Sequence, residues 1–247
     1  MKGGMEGGGC FRTGLHYPGI AHLLRVQVAG LAEEWSPEFS ILEGRWAVID
    51  TETTGRDADN DRIVEVGVSF FEGGQWVGEY GTLINPERPI PEEVVAVHGI
   101  TDEDVKDKPT FREVFAELSR ALEGAIPVAY NAEFDKAFLL AEASRLAPEG
   151  ADPLPPALRP SVTWIDPLTW ARELQKTEKS RALSDVCERL GIPLDNAHRA
   201  THDAKAAGQV LSVFMRDPRV PSAYGAFIRE QGRLEKMAAF ERARWRN

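Results

Sequence analysis

Between Arg45 and Pro86 the chain sets three strand-like segments almost end to end, and no other stretch limits the possible folds as tightly. RWAVID opens the series. IVEVGVSFF, from Ile63 to Phe71, alternates so that Val64, Val66, Val68 and Phe70 share one face, the period of a half-buried strand. Glu72, Gly73, Gly74 and Gln75 form a hairpin turn, and WVGEYGTLIN continues as a third strand that stops at Asn85 and Pro86. Parallel pairs need crossovers of about a dozen residues or more, usually helical. Short connections therefore predict an antiparallel meander.

Further along, the period changes. Thr110 and Glu113 make a capping box that opens a helix through Leu122. IPVAY, from Ile126 to Tyr130, is a short buried strand, and Asn131 is placed to cap the helix AEFDKAFLLAEASRL, with Phe134, Phe138 and Leu139 facing inward. A loop rich in proline (Pro148, Pro153, Pro155, Pro156, Pro160) precedes a fifth strand, SVTWID. Helices PLTWARELQ and ALSDVCERLGI follow, the second stopped by Gly191 and Pro193, and a last strong helix runs from about Ala200 to Met215. A meander followed by alternating strands and helices predicts an α/β fold, a mixed five-stranded sheet flanked by helices.

This predicted domain covers residues 45–216 of a 247-residue chain that is 43% apolar, enough for a substantial core. Residues 1–44 read as an extension. Its first nineteen residues are glycine-rich and read as mobile, and IAHLLRVQVAGLAEEW carries a helical stripe (Ile20, Leu23, Leu24, Val28, Leu31, Trp35) expected to pack on the domain. Residues 217–247 read as a helical basic tail: from Arg229 onward six Lys or Arg stand against three Glu, with Leu234, Met237 and Phe240 on one side. A solvated amphipathic helix is the plain reading of that tail, and a nucleic-acid or partner contact is the alternative. Cys10 and Cys187 have neither zinc spacing nor a disulfide framework, MKGGMEGGGC lacks the apolar core of a signal peptide, and no run is long enough for a membrane span. The expectation is a cytoplasmic chain with no membrane contact.

A net charge of −10 argues against phosphate binding through basic patches. Acids gathered in a cleft can instead hold hard divalent cations that meet the phosphate for them. VIDTETTG supplies the first such pair. In a strand, Asp50 and Glu52 point the same way, roughly 7 Å apart along the chain, and repel unless a cation lies between them. Asp135, in YNAEFD, falls in the first turns of a helix that follows a buried strand, where α/β sheets place ligands. In NAHRATHDA, Asp203 lies on the last strong helix. His198, five residues earlier, would point about 140° away on a continuous helix, so both serve one site only if His198 precedes the first turn. There it suits proton transfer. His198 and His202 have the spacing of a zinc pair, but the HExxH glutamate is missing and the acids favour oxygen-ligated metals. Each acid taken alone has an ordinary structural reading as a strand end or a helix first turn.

Taken together, DTETTG, NAEFD and His198-Arg199-Ala200-Thr201-His202-Asp203-Ala204, with VHGIT (His98, Gly99, Thr101) between them, resemble the DEDDh 3′→5′ exonucleases, relatives of the proofreading subunit of bacterial DNA polymerase III. The resemblance spans roughly residues 45–216 and implies a ribonuclease H-like fold. It implies that Asp50, Glu52 and Asp203 bind one Mg²⁺ or Mn²⁺, that Asp50 bridges to a second, and that Asp135 helps hold the site. It further implies that His198 is the general base, that Thr53, Thr54 and Gly55 line the terminal nucleotide, and that His98, Ile100, Thr101 and Asn131 sit beside it. Tyr130 departs from the histidine common in the family at that position. The expected substrate is the 3′ end of DNA, in preference to RNA, with a DNA polymerase as a partner in trans. An RNA-trimming exoribonuclease and a non-catalytic interaction module are the alternatives.

Overall fold

The structure, a computed structural model, describes residues 30–146, 154–194 and 199–244. Its sheet is mixed. Strands β1 (Arg45–Thr53), β2 (Ile63–Glu72) and β3 (Gln75–Leu83) form the predicted antiparallel meander, and β4 (Ile126–Val128) joins β1 in parallel, giving the order β3-β2-β1-β4.

Among the described residues the sheet has four strands where five were expected. SVTWID touches β4 through one parallel bridge, Val128 to Ile165, in which Ala129 N–H donates to Ile165 O at 3.0 Å and Ile165 N–H to Pro127 O at 2.9 Å. The ladder cannot lengthen. On one side the chain leaves β4 through Asn131, whose φ is 73°, and on the other Pro167 begins a helix at once.

Helices α1 (Glu92–His98) and α2 (Asp102–Val105) frame VHGIT, and α3 (Phe111–Leu122) opens with the predicted capping box, Thr110 N–H donating to Glu113 Oε2 at 2.7 Å. After β4 come α4 (Ala132–Leu146), α5 (Pro167–Leu174), α6 (Leu183–Leu190), α7 (Ala200–Phe214) and α8 (Tyr224–Arg244). The pleat of β1 sorts the helices into two layers. Trp46 and Val48 point into a core shared with α5, α6, α7 and α8, while Ala47 and Ile49 point into one built from α3 and α4. β2 is therefore buried on both faces, not on the single face its alternation predicts: Val66, Val68 and Phe70 meet the second core, and Gly67, Ser69 and Phe71 are covered by α7.

The tail helix is part of this core. Tyr224, Phe227, Ile228 and Leu234 of α8 are buried in it, whereas Met237 and Phe240 stand 48% and 71% exposed, so the expected stripe from Leu234 to Phe240 divides at Leu234. Most of the helix expected over residues 20–35, and the whole glycine-rich start, lie outside the described residues. Within the described part, Leu31 to Trp35 forms turns, with both of those side chains packed on the first core. No helix among the described residues is long and apolar enough to cross a membrane.

Candidate active site

The same pleat that buries Trp46 and Val48 carries Asp50 and Glu52 onto the α7 side of β1. Opposite them on β2 stand Gly67 and Glu65 respectively. The first turn of α7 crosses here with almost no clearance: a Cβ on Gly67 would lie well under 3.0 Å from the Ala200 carbonyl carbon and the Thr201 nitrogen, and one on Gly81 would strike the Thr201 methyl. Ser69 Oγ donates to Thr201 O at 3.3 Å. Two bare strand positions thus let the helix lie directly on the sheet and bring Asp203 to the strand acids. One oxygen from each of Asp50, Glu52 and Asp203 lies within 4.8 Å of the others.

Gathering carboxylates disfavours their charged forms. Burial, and then the fields of Asp135, Asp203, Glu52 and Glu65, hold Asp50 well above the ordinary carboxyl range. Glu52 is pushed up to about 8 by burial and then by Asp203, Glu65 and Asp135, against which Arg199 pulls down. Such a cluster is stabilised by a cation. The donors are all oxygens, the set that hard divalent ions take. Oxygens around one Mg²⁺ at about 2.1 Å stand no more than about 4.2 Å apart, so a set within 4.8 Å needs at most slight contraction.

Asp135 takes a different position. It is 3% exposed and accepts a hydrogen bond from Thr51 Oγ1 at 2.8 Å; Thr51 points to the opposite side of β1 from Asp50 and Glu52. Burial pushes Asp135 up to about 7, although the Thr51 bond works the other way. Its oxygens are not among the three that converge, yet it is near enough to raise both Asp50 and Glu52.

The remaining expected residues lie at or just beyond the ends of β1, α1 and β4. Thr53 Oγ1 donates to Gly55 O at 2.6 Å, Thr54 Oγ1 to Asp61 Oδ1 at 3.1 Å, and a Cβ on Gly55 would overlap the Asp61 carboxylate. Both threonine side chains are therefore buried in their own loop. His98 ties the end of β1 down. Its Nδ1 accepts from Ile100 N–H at 3.0 Å, which leaves Nε2 as the donor to Thr53 O at 3.3 Å. Thr101 N–H donates to Asp104 Oδ2, so the amides of Ile100 and Thr101 are both engaged inside the protein. Asn131 does not cap α4 with its side chain. Its carbonyl accepts from Phe134 N–H, its own N–H donates to Asp166 Oδ1, and its side chain is exposed beside the helix start. His198 lies outside the described residues.

Comparison with known proteins gives this arrangement a family. The exonuclease family profile of RNase T type matches residues 47–211, from β1 into α7. The chain belongs to this exonuclease family. Among curated relatives, the PolC-type DNA polymerase III of Thermotoga maritima is 36% identical over 197 residues, covering 80% of this chain but 14% of the polymerase. The chain thus spans about one seventh of the length of that relative. Among solved structures, exonuclease X in complex with 5′-overhanging duplex DNA is 25% identical with a TM-score of 0.57, covering 74% of this chain and 98% of that one. The nuclease domain of 3′hExo, a DEDDh family member bound to rAMP, shares the fold at 18% identity with a TM-score of 0.58, over 71% of this chain and 94% of that one.

This exonuclease also relies on residues that the sequence pattern passes over. Glu65 is 4% exposed on β2 and accepts from Arg199 Nη2 at 2.8 Å and Ala200 N–H at 3.1 Å. Asp166 accepts from Asn131 N–H and Leu168 N–H, capping α5 and holding the start of α4. Glu142, 1% exposed, binds Arg62 with both oxygens, at 2.7 and 3.1 Å, and so closes the loop after DTETTG. One signal was available for Glu65: a lone acid inside an otherwise apolar strand, two residues before a glycine.

Proposed function

We propose that this exonuclease removes nucleotides one at a time from the 3′ end of DNA, single-stranded or frayed, and releases nucleoside 5′-monophosphates. The observation that carries the reading is the meeting of Asp50 and Glu52, at the end of β1, with Asp203, one turn into α7. It also weighs against a non-catalytic module, which has no use for three crowded, partly buried acids. Asp50, Glu52 and Asp203 would hold Mg²⁺ or Mn²⁺, with Asp135 supporting from behind β1. Two such ions, when bound, neutralise the phosphate and activate water. The chain's own residues do the rest. His198, just before α7, takes the proton of the attacking water as its oxygen bonds to phosphorus. The bond from phosphorus to the 3′ oxygen of the preceding nucleotide breaks, and that oxygen leaves protonated from solvent. The backbone around Thr54 and Gly55 seats the terminal sugar, with Thr53, His98, Ile100 and Thr101 bracing that seat and Asn131 reaching it from α4.

DNA is favoured because the PolC-type relatives are DNA polymerases by name and exonuclease X is described with duplex DNA. A DNA polymerase as partner is supported by the same likeness. RNA trimming is the second reading, supported by the rAMP bound to 3′hExo. Digestion of 3′-labelled and 5′-labelled single-stranded DNA, duplex DNA and RNA, with Mg²⁺ and with Mn²⁺, tests the proposal. Early release of the 3′ label from DNA, abolished in Asp203→Ala, is expected. Early release of the 5′ label, or full activity in Asp203→Ala, would overturn it, and preference for RNA would select the second reading.

A further inference from the structure

We propose that Glu65 and Arg199 form a positioning pair that fixes the first turn of α7, and with it Asp203, while neutralising a fourth carboxylate beside the metal-binding acids. The inference rests on the reading of Asp50, Glu52 and Asp203 as metal ligands and adds to it two residues outside that set.

Arg199, the residue just before α7, makes no side-chain cap, so the Ala200 amide at the start of the helix needs an acceptor from elsewhere. Glu65 supplies one. Its Oε2 accepts from Ala200 N–H at 3.1 Å, while Oε1 accepts from Arg199 Nε at 3.2 Å and Nη2 at 2.8 Å. A negative charge at this end of a helix is also favourable. Glu65, Gly67 and Ser69 are alternate residues of one strand face. They respectively hold Arg199 and Ala200, admit the helix backbone, and bind Thr201 O. Asp203 follows two residues later, so any slip of this turn moves its carboxylate relative to Asp50 and Glu52.

The pair has an electrostatic side as well. Glu65 stands directly across from Glu52, and as an uncompensated charge it would be a fourth acid in the cluster. Arg199 compensates it at 2.8 Å, the Glu65 side chain being 6% exposed and that of Arg199 50%. Removing either partner should therefore impair turnover alike, but shift metal affinity in opposite directions. Without the Glu65 charge, Arg199 is a free cation next to Glu52 and competes with the metal. Without Arg199, Glu65 adds negative charge and attracts it.

The test measures Mn²⁺ binding by electron paramagnetic resonance without substrate, alongside kcat and KM on a 3′-labelled oligonucleotide. Glu65→Gln, which retains an acceptor for Ala200 N–H, should weaken Mn²⁺ binding about tenfold and lower kcat about tenfold, typical of groups that orient metal ligands, with KM unchanged. Arg199→Gln should lower kcat similarly but tighten Mn²⁺ binding. Because its side chain is half exposed, this variant carries the test should Glu65→Gln not fold. The double variant should bind Mn²⁺ nearly as well as the parent. Parent-like kcat in either folded single variant, or a double variant that binds no better than Glu65→Gln, would overturn the pairing. Asp203→Ala separates the two readings: if it still binds Mn²⁺ normally, the metal site itself is wrongly assigned, and if it does not while Glu65→Gln is silent, only the pair is.

Discussion

At the scale of single residues, the acid cluster stores repulsion that a cation relieves, and this fixes a sign for pH dependence. Glu52 rises from 4.5 to about 8 in the folded chain, and Asp135 from 3.8 to about 7. A carboxyl that binds its proton more tightly when folded contributes stability that is intact below the unfolded value and drains away as pH climbs through the folded one. With EDTA present, the melting temperature should therefore fall between about pH 5 and pH 8, and millimolar Mg²⁺ should flatten the slope. An EDTA profile that stays level would mean the acids ionise there without cost. Gly67 gives a steric counterpart. Its absent Cβ would meet backbone, which cannot swing aside, so Gly67→Ala should cost at least the roughly 1–3 kcal/mol of ordinary overpacking. Urea denaturation would show this, together with weaker Mn²⁺ binding as Asp203 shifts. The strand acids were legible in sequence because a pleat of period two aims Asp50 and Glu52 together whatever surrounds them. The purpose of Gly67 was not, since it depends on a helix more than 130 residues away in the chain.

Elements that carry their own boundary signals were legible from sequence. The capping box at Thr110, the hairpin glycines and the stop at Gly191 are local, and each stands where it was expected. SVTWID was misjudged for the opposite reason. Its residues suit a strand, but pairing requires a partner of matching length, and β4 has three residues before the chain turns at Asn131. The acid at the end of that segment does more than its composition suggests. Asp166 Oδ1 accepts from Leu168 N–H at 2.8 Å and from Asn131 N–H at 3.0 Å, and Asp166 N–H donates to Gln231 Oε1 at 2.9 Å, so one residue joins α4, α5 and α8. Losing a helix cap costs about 1 kcal/mol. With the partly buried Asn131 amide left unpaired as well, Asp166→Ala should cost about 2–4 kcal/mol. Asp166→Asn, which keeps an acceptor oxygen in place, should cost less than half as much. Equal losses in urea melts would show that the carboxylate charge, rather than its acceptor geometry, holds the three helices.

For the molecule as a whole, motif positions lie between residues 45 and 216, and packing joins the described segments on either side of them to the same core. Motifs locate chemistry, and a core is located by which apolar faces meet. Here the faces on both sides of the motif region meet each other. Ile41 N–H donates to Ser222 O at 2.9 Å, Tyr224 N–H to Phe39 O at 2.8 Å, and the Tyr224 hydroxyl accepts from Ala32 N–H at 3.2 Å. Trp35 meets the Tyr224 ring edge-on, and Phe227 packs against Trp170 with ring centroids 4.9 Å apart. Cutting the chain after residue 216 would remove five buried apolar side chains, Val220, Tyr224, Phe227, Ile228 and Leu234. At roughly 1.5–3 kcal/mol each, their burial is worth roughly 7–15 kcal/mol, comparable with the whole stability of a typical domain. A chain ending at residue 216 should therefore be largely unfolded or aggregated. One ending after Leu234, which keeps all five and drops the end that carries the exposed Met237 and Phe240, should melt within a few degrees of the parent. Circular dichroism melts of the two truncations decide it. If the shorter chain folds cooperatively near the parent temperature, α8 is an appendage after all; if the longer one also fails, the exposed end contributes to the fold in a way its burial does not reveal.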